Sequence, residues 1–488
     1  MGEVMSSFMI GWGEADITPD ARKVELAGQY YQRVARGIHS RLKAVALVMQ
    51  KEQELAVMIA LDVVGIPEEL QNQARDVIHQ AIPAIAPQTI FLNAIHTHNA
   101  PYVRPAGLFR DWLPLDDEAL KPADYIEFLL KRILDAVKQA WTKRRPGAIA
   151  NAFGHARIGH CRRAVYANGC AEMYGDTSRA DFVGMEAGED SGVELLFTYD
   201  AQQRPTGAIV NVACPSQVME ATYEISSDYM GATRELLKGE FGEDFHTLCQ
   251  ISAAGCQSPR DLVRRYRNEP DFWHADGVAV HAQRLFTATM AAFKQTPASA
   301  IQADPQFQHR CARVDLPIRR AGYCDYVKAK AEIARLTTIM PEHAAFLAFC
   351  KETHDNEAIP GRPGPYDSKL HHFVLIQNAK AVVKRYETQD ATPRFSYDMQ
   401  TLRIGDCAMV NVPFELYLVF GQIIKARSLA KQTFVVQLSG GSGSYLPSPE
   451  AERYGGYGGL IVNGIVGSDG GYLLADTAVQ RINSFFLT

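Results

Sequence analysis

No stretch of the 488 residues approaches the roughly 18 uninterrupted apolar positions that a membrane-crossing helix requires, so no stable membrane association is expected. A basic tract is also missing. The 50 Lys and Arg residues are balanced by 55 Asp and Glu residues, for a net charge of −5, which gives no platform for nucleic acid. Cys-x-x-Cys pairs are absent too. The nine cysteines are odd in number and scattered from Cys161 to Cys407, a pattern that suits a reducing compartment better than a disulfide framework. The amino end, "MGEVMSSFMIGWG", carries Glu3 where a secretory signal has a basic start, so a cytoplasmic protein is expected. With no internal repeat, no low-complexity tract and no long linker, residues 1–488 are expected to form a single domain.

What is present is alternation. Apolar runs rich in β-branched residues predict buried strands at 41–50, 54–66, 89–98, 206–215, 246–255, 407–415 and 433–441. Between them, apolar spacing of three and four predicts helices at 68–82, 122–144, 227–240, 275–294 and 415–430. This pattern predicts an α/β fold: a mixed, largely buried β-sheet flanked by helices. A helix-rich stretch near 322–386, broken by the loop "IPGRPGPYDS", reads as a helical insertion.

The polar residues of interest cluster at the carboxyl ends of the apolar runs, where open α/β sheets place ligands. The run "TIFLNAIHTHNAP" ends in His96 and His98, two residues apart. In a strand such a pair shares one face, so both imidazoles could meet one metal ion or one reacting group. Taken singly, other candidates have ordinary readings as well. Ser258 before Pro259 could start a turn, Tyr445 and Tyr457 could be plain residues of a Gly-rich loop, and Glu415 could sit at a helix amino end. The acidic stretch "GMEAGEDSGVE", with Glu186, Glu189, Asp190 and Glu194, reads by default as a solvated loop.

In order along the chain stand "GWGEADITP" (11–19), "GIHSRLKAVALV" (37–48), "HTHNAP" (96–101), "ISSDYMGATRELL" (225–237), "AAGCQSPRD" (253–261), "VPFE" (412–415) and "SYLPSPEAERYGGYGG" (444–459). Their order and spacing resemble the neutral, non-lysosomal ceramidase family over most of the chain. The resemblance implies a zinc-dependent amidase, with His96, Glu415 and Tyr445 as metal ligands. It further implies catalytic roles for Ser258, His98, Arg162 and Tyr457. Such a set is chemically coherent. Amide cleavage needs donors or a Lewis acid for the developing oxyanion, a nucleophile, and a base to activate it.

The family's second zinc histidine belongs to an Asn-x-Ala-Cys-His motif, and here "NVACPSQVME" puts Pro215 at that place. Proline has no side-chain donor. Cys214, Glu220 or His98 could take the position, a different divalent ion could bind, or the site could work without metal. Cys256 in "GCQSP" is a further departure, read as a buried small hydrophobe rather than a nucleophile. Neither a signal peptide nor a further β-sandwich is expected to accompany the motifs. The expected function is therefore metal-assisted hydrolysis of an amide or related bond in a small soluble substrate. The alternatives are a carbohydrate-directed hydrolase or lyase using His, Tyr and Arg, and an inactive ligand-binding homologue. Oligomeric state is not legible in the chain.

Overall fold

The computed structural model describes residues 7–20, 23–29, 32–104, 118–265, 267, 272–357 and 371–487. Two β-sheets form its centre. The larger has eight strands: β1 (Met9–Asp16), β2 (Lys43–Lys51), β3 (Glu54–Leu61), β4 (Ile90–Ala94), β5 (Arg145–His155), β6 (Gly192–Asp200), β7 (Pro205–Val212) and β8 (His246–Ile251). Their order across the sheet is β8-β7-β6-β5-β1-β2-β3-β4. The smaller sheet has β9 (Phe307–Pro317), β10 (Arg394–Ile404), β11 (Cys407–Asn411) and β12 (Gln432–Val436), in that order.

Alternation along each strand explains how the sheets stack. In β2, Val45, Leu47 and Met49 point to one side and join Phe307, Leu402, Met409 and Phe434 of the smaller sheet in one buried cluster. Ala44, Ala46 and Val48 point to the other and pack with residues of α1 (Glu68–Ala81) and α2 (Pro122–Thr142). Both faces of these strands are dry, so they read as continuous apolar runs rather than as alternating ones. Helices α3 (Asp228–Phe241) and α4 (His274–Gln295) also cover the outside of the larger sheet. On the smaller sheet, α8 (Leu418–Arg427) and α9 (Ser468–Ser484) do the same. Four layers result: helices, sheet, sheet, helices. The fold class expected from sequence is the one found, with two packed sheets where one was expected.

Most neighbouring strands run antiparallel, but three pairs are parallel: β3 with β4, β7 with β8, and β11 with β12. The chain between each pair contains a helix, α1, α3 and α8 respectively, as parallel strands require. The edges β4 and β8 lie seven places apart in the order, yet Asn93 of β4 donates to the Cys249 carbonyl of β8 at 2.9 Å. The larger sheet therefore coils until its edges meet, and the loops leaving those edges become neighbours.

The expected insertion is helical: α5 (Tyr323–Ile339), α6 (Glu342–Glu357) and α7 (His372–Thr388). It carries its own small core of Leu336, Ala345, Phe346, Phe349, Phe373 and Ile376. The "IPGRPGPYDS" loop and the first six residues lie outside the described residues.

Candidate active site

The loops leaving the carboxyl ends of β4, β7, β8, β11 and β12, all members of parallel pairs, converge with the segment that follows β5. β4 ends at Ala94, two residues before the first histidine, and His96 takes a left-handed backbone at φ 63°. The shared-face argument from an extended strand therefore gives the wrong reason. The imidazoles still meet, with Nε2 of His96 and Nε2 of His98 3.2 Å apart, because the chain kinks at His96 and not because the strand continues.

Each ring is held from behind. His96 Nδ1 lies 2.5 Å from the Val64 carbonyl, so that nitrogen carries the proton and Nε2 keeps its lone pair. Burial, with His98 and Arg162 nearby, pushes the His96 pKa well below the usual imidazole value despite that hydrogen bond, so the ring is neutral. His98 Nδ1 lies 3.1 Å from the buried carboxylate of Glu220, and Gln217 Nε2 lies 2.8 Å from His98 Nε2. Gly28, at φ +100°, backs the His98 ring so closely that a Cβ there would lie 2.4 Å from its Cγ. Only glycine tolerates both that conformation and that approach.

Glu415 and Tyr445 are register partners in a two-residue parallel ladder that continues beyond β11 and β12. This places the Glu415 carboxylate 3.7 Å from His96 Nε2. Glu415 thus precedes α8 in an extended segment and is not its dipole-stabilised first residue. Arg162, buried beside the bridge that pairs Ser258 with His160, donates through Nη2 to the Gly255 carbonyl at 2.9 Å and to the Tyr445 hydroxyl at 3.2 Å. The same nitrogen is 3.5 Å from Glu415, while Nη1 reaches Tyr174 Oη at 3.2 Å and Gln217 Oε1 at 3.3 Å. Burial works against the charge on Arg162, but Tyr445, Tyr174 and Glu415 outweigh it and hold its pKa well above normal. At Glu415 burial prevails over Arg162, Tyr445 and His98, and its pKa is raised.

Ser258 is fully buried, its Oγ 3.4 Å from Tyr174 Oη. Tyr457 packs its ring 5.5 Å from that of Tyr445, on a loop whose Tyr457 and Gly455 carbonyls accept from the buried Arg163 guanidinium. The seven residues singled out from sequence are thus neighbours in space: His96, His98, Arg162, Ser258, Glu415, Tyr445 and Tyr457. Gln217 and Tyr174 were missed. Neither belongs to a recognisable motif, and only the meeting of β4, β7 and β8 loops with the Ala171–Met173 strand brings them in.

One further expectation is corrected. The acidic stretch is not a solvated loop: Glu186 is buried against Arg163 at 2.8 Å, Glu189 binds Arg157 and His160, and Asp190 and Glu194 both hold Lys425. Asp62 forms a buried pair with Arg234 at 2.6 Å, Asp16 pairs with Arg41, and His39 meets Ser226. Burial raises the thiol pKa of both Cys214 and Cys256, so both sit as neutral hydrophobic groups. A cavity of ≈ 620 Å³ lies between α5, α7 and the segment 460–462, and none of the seven residues lines it.

The buried imidazole of His96 and the carboxylate of Glu415 are groups of the type that ligate a metal ion. His96 Nε2 is a buried lone pair facing two further acceptors, His98 Nε2 and Glu415, an arrangement a cation relieves. Among the described residues no three His, Cys, Asp or Glu side chains group to hold a metal. Pro215 has no side-chain donor to add to them.

Residues 8–257 match the family described as neutral/alkaline non-lysosomal ceramidase, N-terminal. No curated protein matches the chain. Among solved structures, the neutral ceramidase from Pseudomonas aeruginosa superposes with a TM-score of 0.67 at 18% identity, covering 98% of this chain and 75% of that one. A structure described as ceramidase complexed with C2 gives a TM-score of 0.66 at 17% identity, with the same coverage of 98% and 75%.

Proposed function

We propose that this chain, which belongs to the neutral/alkaline non-lysosomal ceramidase family, cleaves an amide or related bond in a small soluble substrate with the help of a metal ion. Membership makes it a hydrolase of ceramidase type. The observation that carries the finer reading is the convergence of a neutral imidazole, two carboxylates, a permanently charged guanidinium, a serine and two tyrosines from loops more than 300 residues apart, His96 to Tyr445. Among the described residues no helix is long and apolar enough to cross a membrane, in keeping with a substrate met in water.

His96, Glu415 and Tyr445 would hold the ion, zinc by family resemblance. Bound there, it would supply Lewis acidity for the carbonyl or for water. The other roles fall to the chain. Arg162 keeps its charge at every working pH and holds the Tyr445 and Tyr174 hydroxyls through its two Nη atoms, a positive charge beside which an oxyanion would be stabilised. Tyr457, beside Tyr445, is a second donor. Glu220, 3.1 Å from Nδ1, and Gln217, 2.8 Å from Nε2, position the His98 ring, to which the resemblance gives a proton-transfer role. Ser258 is the nucleophile.

The test is turnover of a panel of short-chain N-acyl amides and esters, followed with and without 1,10-phenanthroline, for wild type, Ser258→Ala and His96→Ala. Hydrolysis of at least one member, lost with chelator and in both variants, is expected. Hydrolysis that survives the chelator and the Ser258 change would overturn the assignment. Elemental analysis should show metal in wild type and its loss in His96→Ala.

A further inference from the structure

Ser258 lacks the partner a serine nucleophile ordinarily has. Among the described residues no imidazole lies within hydrogen-bond distance of its Oγ. The backbone N–H of Arg260 donates to it at 3.2 Å, and the side chain in reach is Tyr174, at 3.4 Å. His98 is committed elsewhere, to Gln217, His96 and Glu220. Yet Tyr174 Oη also lies 3.5 Å from Glu220 Oε1, while the other carboxylate oxygen, Oε2, faces His98 Nδ1 at 3.1 Å and Gln29 Nε2 at 3.3 Å. Serine, phenol and carboxylate form a line.

We propose that Tyr174 is a catalytic residue, relaying the Ser258 proton to Glu220. This rests on the reading of Ser258 as nucleophile. As Ser258 Oγ bonds to the substrate carbonyl carbon, its proton passes to Tyr174 Oη and the phenol's own proton passes to Glu220 Oε1. When the tetrahedral adduct collapses, the C–N or C–O bond breaks and the proton returns by the same two steps to the leaving group. A water molecule then attacks the acyl carbon and gives its proton to the relay; the Ser258 Oγ–C bond breaks, the relay returns the proton to Ser258 Oγ, and carboxylic acid and free serine result. No oxidant or additional reactant is needed.

Three features support Tyr174 as a carrier. Its phenol is fully buried, and burial, reinforced by Glu220 and opposed by Arg162 and Ser258, pushes its pKa up to about 12, so it stays protonated between steps. Its backbone sits at φ 57°, a conformation that bulky residues adopt at a cost and that tertiary contacts have to enforce. Those contacts are on hand: its N–H donates to the Arg162 carbonyl at 2.6 Å, and the Arg162 guanidinium aims the hydroxyl. Both hydroxyl separations are long, as catalytic contacts commonly are before substrate binds.

The experiment uses the full chain and needs no substrate. A fluorophosphonate probe phosphonylates an activated serine, with the serine O–P bond forming and P–F breaking to release fluoride. Its rate on Ser258 is followed by intact mass against pH for wild type, Tyr174→Phe, Glu220→Gln and Ser258→Ala, with thermal melting to confirm folding. In Tyr174→Phe the rate should fall by about 100-fold or more and then climb steadily with hydroxide between about pH 6 and 9, because solvent must remove the proton. Glu220→Gln should share that altered profile, which a merely structural role would not produce. Labelling of folded Tyr174→Phe at the wild-type rate and with the wild-type pH profile would overturn the relay while leaving Ser258 as nucleophile. No labelling of wild type would overturn both.

Discussion

Gly28 shows how one missing side chain makes room for the ring of His98. At φ +100° and with His98 Cγ at 2.4 Å from where its Cβ would stand, alanine here strains the backbone and pushes the imidazole away from Glu220. Gly28→Ala should cost about 1–3 kcal/mol in urea unfolding. Its turnover should fall much further than that loss of stability accounts for, because His98 moves. Equal activity per folded molecule would mean that the ring finds another way to its partners. Nothing in the sequence around Gly28 marks it out. It became visible only when the chain brought it against a histidine 70 positions later.

At the scale of elements, the parallel pairs carry the chemistry and the antiparallel strands carry the frame. The sequence displayed the first group well: β3, β4, β7, β8, β11 and β12 all fall inside predicted runs to within one residue, because strands buried on both faces are uniformly apolar. It hid the second. β9, with "FQHRCARVDLP", and β10, with "RFSYDMQTLRI", have one wet or polar face and enough charge to pass for loop. Helix ends were legible to within a few residues, except that α8 starts at Leu418 rather than 415, since Glu415 is drawn into a ladder with Tyr445. The insertion α5–α7 has a core separate from the main ones, so it should behave as its own cooperative unit. Phe346→Ala should destabilise that unit by about 3–5 kcal/mol. In hydrogen exchange, α6 and α7 should lose protection while β2 and β3 keep theirs; equal loss in all four would show that the insertion and the sheets unfold together.

For the whole molecule, buried carboxyls set an acid-side window of stability. Asp228 is fully buried, and burial, only partly offset by the backbone N–H groups of Tyr229, Met219 and Val218, raises its pKa from 3.8 to about 6. The folded state therefore holds that proton more tightly than the unfolded chain, and stability should rise as pH falls from 7 toward 5. Glu189 works the other way. Burial raises its pKa, but His160 and Arg157 outweigh that and lower it from 4.5 to about 2, so its contribution is complete above 4.5 and disappears as pH falls toward 2. Melting midpoints should peak in weak acid, and Asp228→Asn should remove the rise between pH 7 and 5 while sparing the loss below 4.5. A midpoint flat from pH 7 to 5 in wild type would contradict the assignment of Asp228. The site as a whole was readable because motifs survive as short strings. The links between them, Gln217 and Tyr174, were not, because they depend on two sheet edges meeting in space.

The register pairing of Glu415 with Tyr445 also sets a clock. During synthesis Ser258 leaves the ribosome well before either of them, and the family match itself ends at residue 257. A nascent chain carries its proposed nucleophile early but completes its proposed metal site only when Tyr445, 30 residues after Glu415, has been made. On the proposed assignment, a fragment released before Tyr445 lacks one of its metal ligands and should be chemically silent.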